Sequence, residues 1–198
     1  MLAALLNQAE RRGGLHVFRV FHRRLGAASA PPPAPGLECR RLSGGELLAL
    51  CADPALELRE AMVRAALARG DACVGACLEG RLAGYAWFAY DEAPHVNGVR
   101  VQVPARAIYR FKTFVRAACR GRGIAPFLYA AADAIVARPG RESVVNCIAL
   151  QNRASIAAAL KSGDAACGYL AYWQARGRFL ALHSRKVAAL GLRFRTSS

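Results

Sequence analysis

Lysine and acid are scarce in this 198-residue chain: three Lys (Lys112, Lys161, Lys186) stand beside 25 Arg, and 13 Asp and Glu leave a net charge of +15. An acidic disordered tail is thereby excluded. A basic disordered one is excluded by the 55% hydrophobic content, because only chains poor in apolar residues fail to offset the entropy of ordering. Long hydrophobic runs are also missing: no uncharged apolar stretch approaches the roughly 18 to 20 residues that cross a bilayer. Residues Met1 to Arg12 hold only the short run Leu2 to Leu6, with no base before it and Glu10, Arg11 and Arg12 directly after, which is not the pattern of a signal peptide. A reducing, cytoplasmic setting is the expectation. The seven cysteines lack a pairing pattern, being odd in number and set mostly in apolar runs, and read as buried thiols. Cys73 and Cys77 have no downstream Cys or His pair at zinc spacing, so no metal is expected. Internal repeats and heptads are absent, and Gly and Pro usage is ordinary, which leaves an ordinary globular chain.

What is present is a field that attracts anions: nucleic acid, an acidic surface or a polyanionic cofactor. The arginines are spread along the chain instead of forming a block, and no zinc pattern, RNA-binding aromatic signature or concentrated basic helix accompanies them, so nucleic acid is not the expected partner.

The first residues pair a short amphipathic helix pattern (Leu2, Leu5, Leu6, Ala9) with the alternating run Leu15, Val17, Arg19, Phe21, which reads as a strand. Ala27 to Gly36, with three consecutive prolines, reads as an extended spacer. The division expected is 1–36 as an N-terminal segment and spacer, and 37–198 as the compact domain. Beyond the spacer the patterns give a strand at 37–42, helices at 44–51 and 56–69, and a hairpin at 71–90 turning on Glu79-Gly80-Arg81. A polar loop at 91–98, strands at 99–103 and 107–115, a helix from Gly123 to the Pro139-Gly140 stop, a buried strand at 143–150, a helix at 152–162 and three strand-like pieces follow. The class is mixed α/β.

Chemistry concentrates at Thr113 to Ala125, TFVRAACRGRGIA, where a strand passes through a glycine-bearing loop into a helix. Glycines let backbone approach an anion, the first helical N–H groups lack acceptors, and the helix dipole adds positive potential. Arg120 and Arg122 add cationic donors. A second element is NRASIAAALKSG, with Asn152, Ser155 and Gly163.

Arg120-Gly121-Arg122-Gly123-Ile124-Ala125 resembles the Arg/Gln-x-x-Gly-x-Gly/Ala element of the GNAT superfamily of acyl-CoA-dependent N-acetyltransferases, with Val115 five residues before the arginine. Asn152, Ser155 and Gly163 resemble that family's Asn, Ala/Ser and Gly at the usual spacing. The resemblance covers roughly residues 37 to 175. It implies a mostly antiparallel central sheet flanked by helices, with the coenzyme between two splayed central strands. It also implies that backbone at Thr113, Phe114 and Val115 meets the pantetheine arm, that Arg120, Gly121, Arg122, Gly123, Ile124 and Ala125 cradle the pyrophosphate, and that Asn152 and Ser155 lie beside the coenzyme.

The implied activity is transfer of an acetyl or short acyl group from acetyl-CoA to a primary amine by direct attack, with acyl-CoA and an amine acceptor as partners and a homodimer left open. Other readings are transfer of longer acyl chains in envelope or polysaccharide assembly, an inactive relative, or a basic nucleic-acid-binding module. The chain departs from the pattern twice. The family's Tyr seven residues after the Asn is Ala159, leaving Ser155, Tyr169, Tyr172 or water to protonate the departing thiolate, and its Phe after the glycine is Asp164. An amine with a pKa near ~10.4 must lose a proton before it can attack, and Asp91, Glu92 and His95 are the candidate bases, with Tyr169 the further catalytic candidate.

Overall fold

The structure is a computed structural model that describes residues 14–28, 32, 34–175 and 178–196. The expected helix over residues 2–9, and part of the Pro-rich spacer, lie outside the described residues.

Eight strands form one sheet in the order β10-β9-β1-β8-β7-β4-β3-β2. They are β1 (Leu15–Arg24), β2 (Leu37–Arg41), β3 (Ala72–Leu78), β4 (Arg81–Ala89), β7 (Ala107–Val115), β8 (Ser143–Ala149), β9 (Ala165–Ala175) and β10 (Arg178–His183). Every pairing is antiparallel except β7 with β8. A small second sheet joins β5 (Glu92–Pro94), β6 (Val99–Gln102) and β11 (Arg193–Thr196) in the order β11-β6-β5. The helices are α1 (Gly44–Leu50), α2 (Glu60–Ala68), α3 (Ile124–Val136), α4 (Arg153–Lys161) and α5 (Arg185–Ala188).

Local chemistry sets the helix starts. Ser43 accepts from the Glu46 amide while the Glu46 carboxylate accepts from the Ser43 amide, a reciprocal cap for α1. The helix expected over 56–69 begins only at Glu60. Asp53 caps a short 3-10 turn at Pro54–Leu56, and Glu57 takes a left-handed φ of 53°, which breaks the path. The α3 stripe Ile124, Leu128, Ala132 and Val136 packs on Ala86, Ile108 and Val144 of one sheet face. Burying each of its larger side chains is worth about 1.5–3 kcal/mol. On the opposite face α1 and α2 cover Tyr85, Trp87 and Phe114, and the second sheet covers Phe18, Tyr109 and Leu170.

Two expectations need correction. The compact unit does not begin after the spacer: β1 is an interior strand, Phe18 to Arg24 pairing with β8 and Leu15 to His22 with β9, so the sheet would be cut in two without it. The stretch 91–98 is not all loop either. It contains β5, with Glu92 held by Arg100 and Arg195, while Asp91 pairs with Arg141 at the surface.

One buried polar cluster ties the layers together. Arg23 on β1 donates to Asp133 of α3 and to Asp164 Oδ1 (2.7 Å), while Arg110 of β7 donates to Asp164 Oδ2 (2.6 Å). All four side chains are nearly inaccessible, so the two guanidiniums and two carboxylates neutralise one another inside the fold.

Candidate active site

Strands β7 and β8 run together for only three residue pairs, from Ala107–Ser143 to Tyr109–Val145, and then part. Beyond that point β7 stays with β4 and β8 stays with β1, leaving a fork whose inner backbone edges face open space. At its base stand Arg110 and Asn146. The Asn146 amide, oriented with its oxygen toward Arg110, accepts from the guanidinium, and the guanidinium carbon lies 3.4 Å from the Tyr129 ring centre. A bulge between Trp87 and Phe88 leaves Phe111 without a cross-strand partner. Bulges of this kind re-aim side chains beside functional sites, and here Phe111 and Lys112 both reach the same cavity.

Two cavities meet at the fork, sharing Thr113, Tyr129, Asn152 and Ser155 as walls. The first, about 520 Å³, lies between the end of β7, the start of α3 and the first turns of α4. Of the residues predicted for the coenzyme, Thr113, Phe114, Val115, Arg120, Gly121, Gly123, Ile124, Ala125, Asn152 and Ser155 line it, and Arg122 does not. Glu57 and Lys161, which sequence reasoning did not select, line it as well.

The turn into α3 needs its glycines: Gly121 and Gly123 have φ of 79° and 72°, where side-chain-bearing residues are strained. Among the described residues, none of the N–H groups of residues 121–125 has an acceptor, and Gly123 caps α3 without any side-chain bond. Four of these residues, Gly121, Gly123, Ile124 and Ala125, line the first cavity, at the positive end of a helix dipole. Arg120 is tied back to the Val115 carbonyl by its Nε (3.2 Å). Asn152 caps α4 by accepting from the Ser155 amide (3.1 Å), so its oxygen is engaged in helix capping.

The second cavity, about 410 Å³, opens on the face under α2 and the second sheet. His95 lines it, with Phe18, Phe111, Lys112 and Cys147. Burial holds the His95 imidazole neutral, its pKa pushed down to about 4, with nearby His16 acting in the same direction. Its Nε2 has no partner among the described residues, and the Tyr109 hydroxyl stands 3.5 Å from Nδ1. Cys147 is pushed up to about 12 by burial and is no nucleophile.

Of Asp91, Glu92, His95 and Tyr169, His95 alone lines a cavity, while Ser155, considered for the departing thiolate, lines both. The Asp91 carboxylate is largely exposed and paired with Arg141, and the Arg195 hydrogen bond holds Glu92 below its ordinary pKa. Tyr169 sits on the outer sheet surface, half exposed, in register with Arg19. Tyr172 donates to the Val96 carbonyl within the core, and Ala159 is buried against Phe21 and Ile148, so α4 offers no phenol at the fork. Tyr129, hidden in the apolar stripe of α3, fills part of that space: it lines both cavities, and its hydroxyl has no hydrogen-bond partner among the described residues. Its only sequence signal was a hydroxyl-bearing residue one turn past the glycine loop.

Comparison with known proteins gives the family and the fold. Residues 44–164 match the model of the Acetyltransferase (GNAT) family. Among solved structures, a Staphylococcus epidermidis protein of unknown function superimposes with a TM-score of 0.54 at 11% identity, over 84% of this chain and 64% of that one. A Drosophila protein does so with a TM-score of 0.51 at 17% identity, over 89% and 57%. A tandem GNAT protein from the clavulanic acid biosynthesis pathway gives 0.50 at 18%, over 89% and 57%. At such identities the likeness is one of fold, and the chain spans between about half and two thirds of the length of the first structures it matches. No curated protein matches it.

Proposed function

We propose that this chain, a member of the GNAT acetyltransferase family, transfers an acetyl group from acetyl-CoA to a primary amine across the fork between β7 and β8. The unused amides of Gly121, Gly123, Ile124 and Ala125, lining the cavity beside the opened sheet, carry this reading. They bind the pyrophosphate, with Arg120 at the rim; the free inner edge of Thr113 to Val115 receives the pantetheine amides. The thioester then lies at the shared walls, and the amine enters from the cavity that holds His95.

In the reaction the amine nitrogen bonds to the thioester carbonyl carbon, a β7 amide near Phe114 stabilises the oxyanion, and the C–S bond breaks. His95 is too weak a base to strip an ammonium whose pKa is near ~10.4, so the amine attacks neutral. Its nitrogen becomes far more acidic on attack, and neutral imidazole takes that proton. Tyr129 donates its hydroxyl proton to the departing thiolate, the role that Ala159 leaves empty. Amide and free thiol result, and solvent returns the proton from His95 to Tyr129.

Gly121→Leu tests the cradle. A Cβ at Gly121 meets nothing of the protein within 4 Å, so the substitution costs only about 1–2 kcal/mol of left-handed strain while filling the anion's place. Acetyl-CoA at 100 times its Kd stabilises the wild type by about 2.7 kcal/mol, and the variant gains nothing. Absence of a thermal shift in the wild type at millimolar coenzyme refutes the proposal.

A further inference from the structure

Among the described residues, the walls of the acceptor-side cavity carry cations and no acid: Arg110 and Lys112 line it, and no Asp or Glu does. Arg110 is already balanced by Asp164 within the buried cluster. Lys112 is not: its Nζ donates to a neutral group, the Glu57 carbonyl (2.7 Å), and no carboxylate lies within ion-pair distance among the described residues. Burial lowers the Lys112 pKa, Glu57 opposes this, and Arg59 adds to it, so a second positive charge stands close by. Glu57 lines the other cavity, and its charge acts on Lys112 from beyond ion-pair distance. The remaining polar walls, Thr113, Asn146, Asn152, Ser155 and neutral His95, add no negative charge. A polycationic acceptor would therefore meet like charge in a partly dehydrated space, whereas an anion would give Lys112 the partner it lacks.

Resting on the coenzyme reading above, we infer that the acceptor is an amine carrying an anionic group, a carboxylate or a phosphate, which seats against Lys112 and turns the amine toward the fork. Lys112 then acts on specificity. It recognises the acceptor at a point removed from the reacting atoms, and the bulge at Phe111 is what brings it to the cavity.

The test uses matched pairs that differ in one charge: amino acids against their amides for the carboxylate arm, phosphoethanolamine against ethanolamine for the phosphate arm, and spermidine as polycation. Turnover with acetyl-CoA is followed by thiol release, and binding to the CoA-saturated protein by saturation-transfer NMR, which needs no turnover. The anionic member of at least one pair should be favoured about tenfold or more. Lys112→Met should bring that ratio close to one, and Lys112→Glu should invert it, with the Kd for acetyl-CoA retained in both. Equal or better use of the amides, ethanolamine or spermidine overturns the inference, as does a ratio that survives Lys112→Met, or no binding by any anionic amine at millimolar concentration. Acetyl-CoA failing to bind by itself refutes the coenzyme reading instead, a result read separately in the same samples.

Discussion

Replacing Asp164 by Asn removes one charge from a cluster that has no access to water. The carboxylate is about 4% exposed and takes Arg23 Nε at 2.7 Å and Arg110 Nη2 at 2.6 Å. Without it, Asp133 still holds Arg23, and the buried charge of Arg110 is left uncompensated. Breaking a buried pair by removing one partner costs about 3–5 kcal/mol. The two charged hydrogen bonds lost or weakened, at about 1.5–3 kcal/mol each, give the same range. Against a total stability of about 5–15 kcal/mol this is a large fraction, and at about 2–4 °C per kcal/mol it lowers Tm by roughly 6 to 20 °C. Urea unfolding followed by circular dichroism measures it, with Glu60→Gln as control. That residue's pair with Arg64 is more than half exposed and should be worth about 0.5 kcal/mol or less. An Asp164→Asn loss no larger than the control's would refute the idea that the cluster holds β1, β7 and α3 together.

Three further outcomes follow from the site. Tyr129→Phe keeps the ring under Arg110 and removes only the hydroxyl; kcat should fall about 100-fold or more with an unchanged Kd for acetyl-CoA, measured by thiol release and calorimetry. The stability that His95 contributes should decline as pH drops from about 6.5 toward about 4: its pKa is depressed in the fold, so the unfolded chain takes up its proton first, while Asp71, raised to about 6 by burial, acts in the opposite sense, and the comparison with His95→Gln isolates the histidine. His22 and His183, both lowered chiefly by burial, act in the same sense, so His95→Gln should flatten the decline without abolishing it, as urea titrations across that range would register. Gly121→Leu, finally, should lose coenzyme stabilisation while its unliganded unfolding curve moves by no more than about 2 kcal/mol.

Local features were readable in the chain; distant ones were not. The 72–89 hairpin, the glycine turn into α3 and the Asn152 cap are each determined by neighbours within a few residues, and the structure places them where the pattern did. The partners of β1 lie between 119 residues away (Arg24 to Ser143) and 158 (Leu15 to Trp173), and no periodicity records which edge a strand will find. The 91–98 segment misled because its charges look solvated until Arg100, Arg141 and Arg195 arrive from elsewhere. Tyr129 was invisible for the opposite reason, since a phenol in an apolar helix stripe reads as packing. Asp164 was noticed only as a departure from a pattern, and its meaning depends on Arg23 and Arg110, far off in sequence.

The place of β1 divides the molecule's labour. Every residue proposed to grip the donor falls between Thr113 and Ser155, inside a stretch that forms its own turn and helices, while Phe18, a wall of the other cavity, is borrowed from the opposite end of the chain. On the proposed reading, a substitution at Phe18 alters a wall of the acceptor side alone, because Phe18 lines the second cavity and not the first. During biosynthesis the same arrangement makes β1 wait through more than a hundred residues for both neighbours, so the sheet can close around the fork only after β8 and β9 have been made.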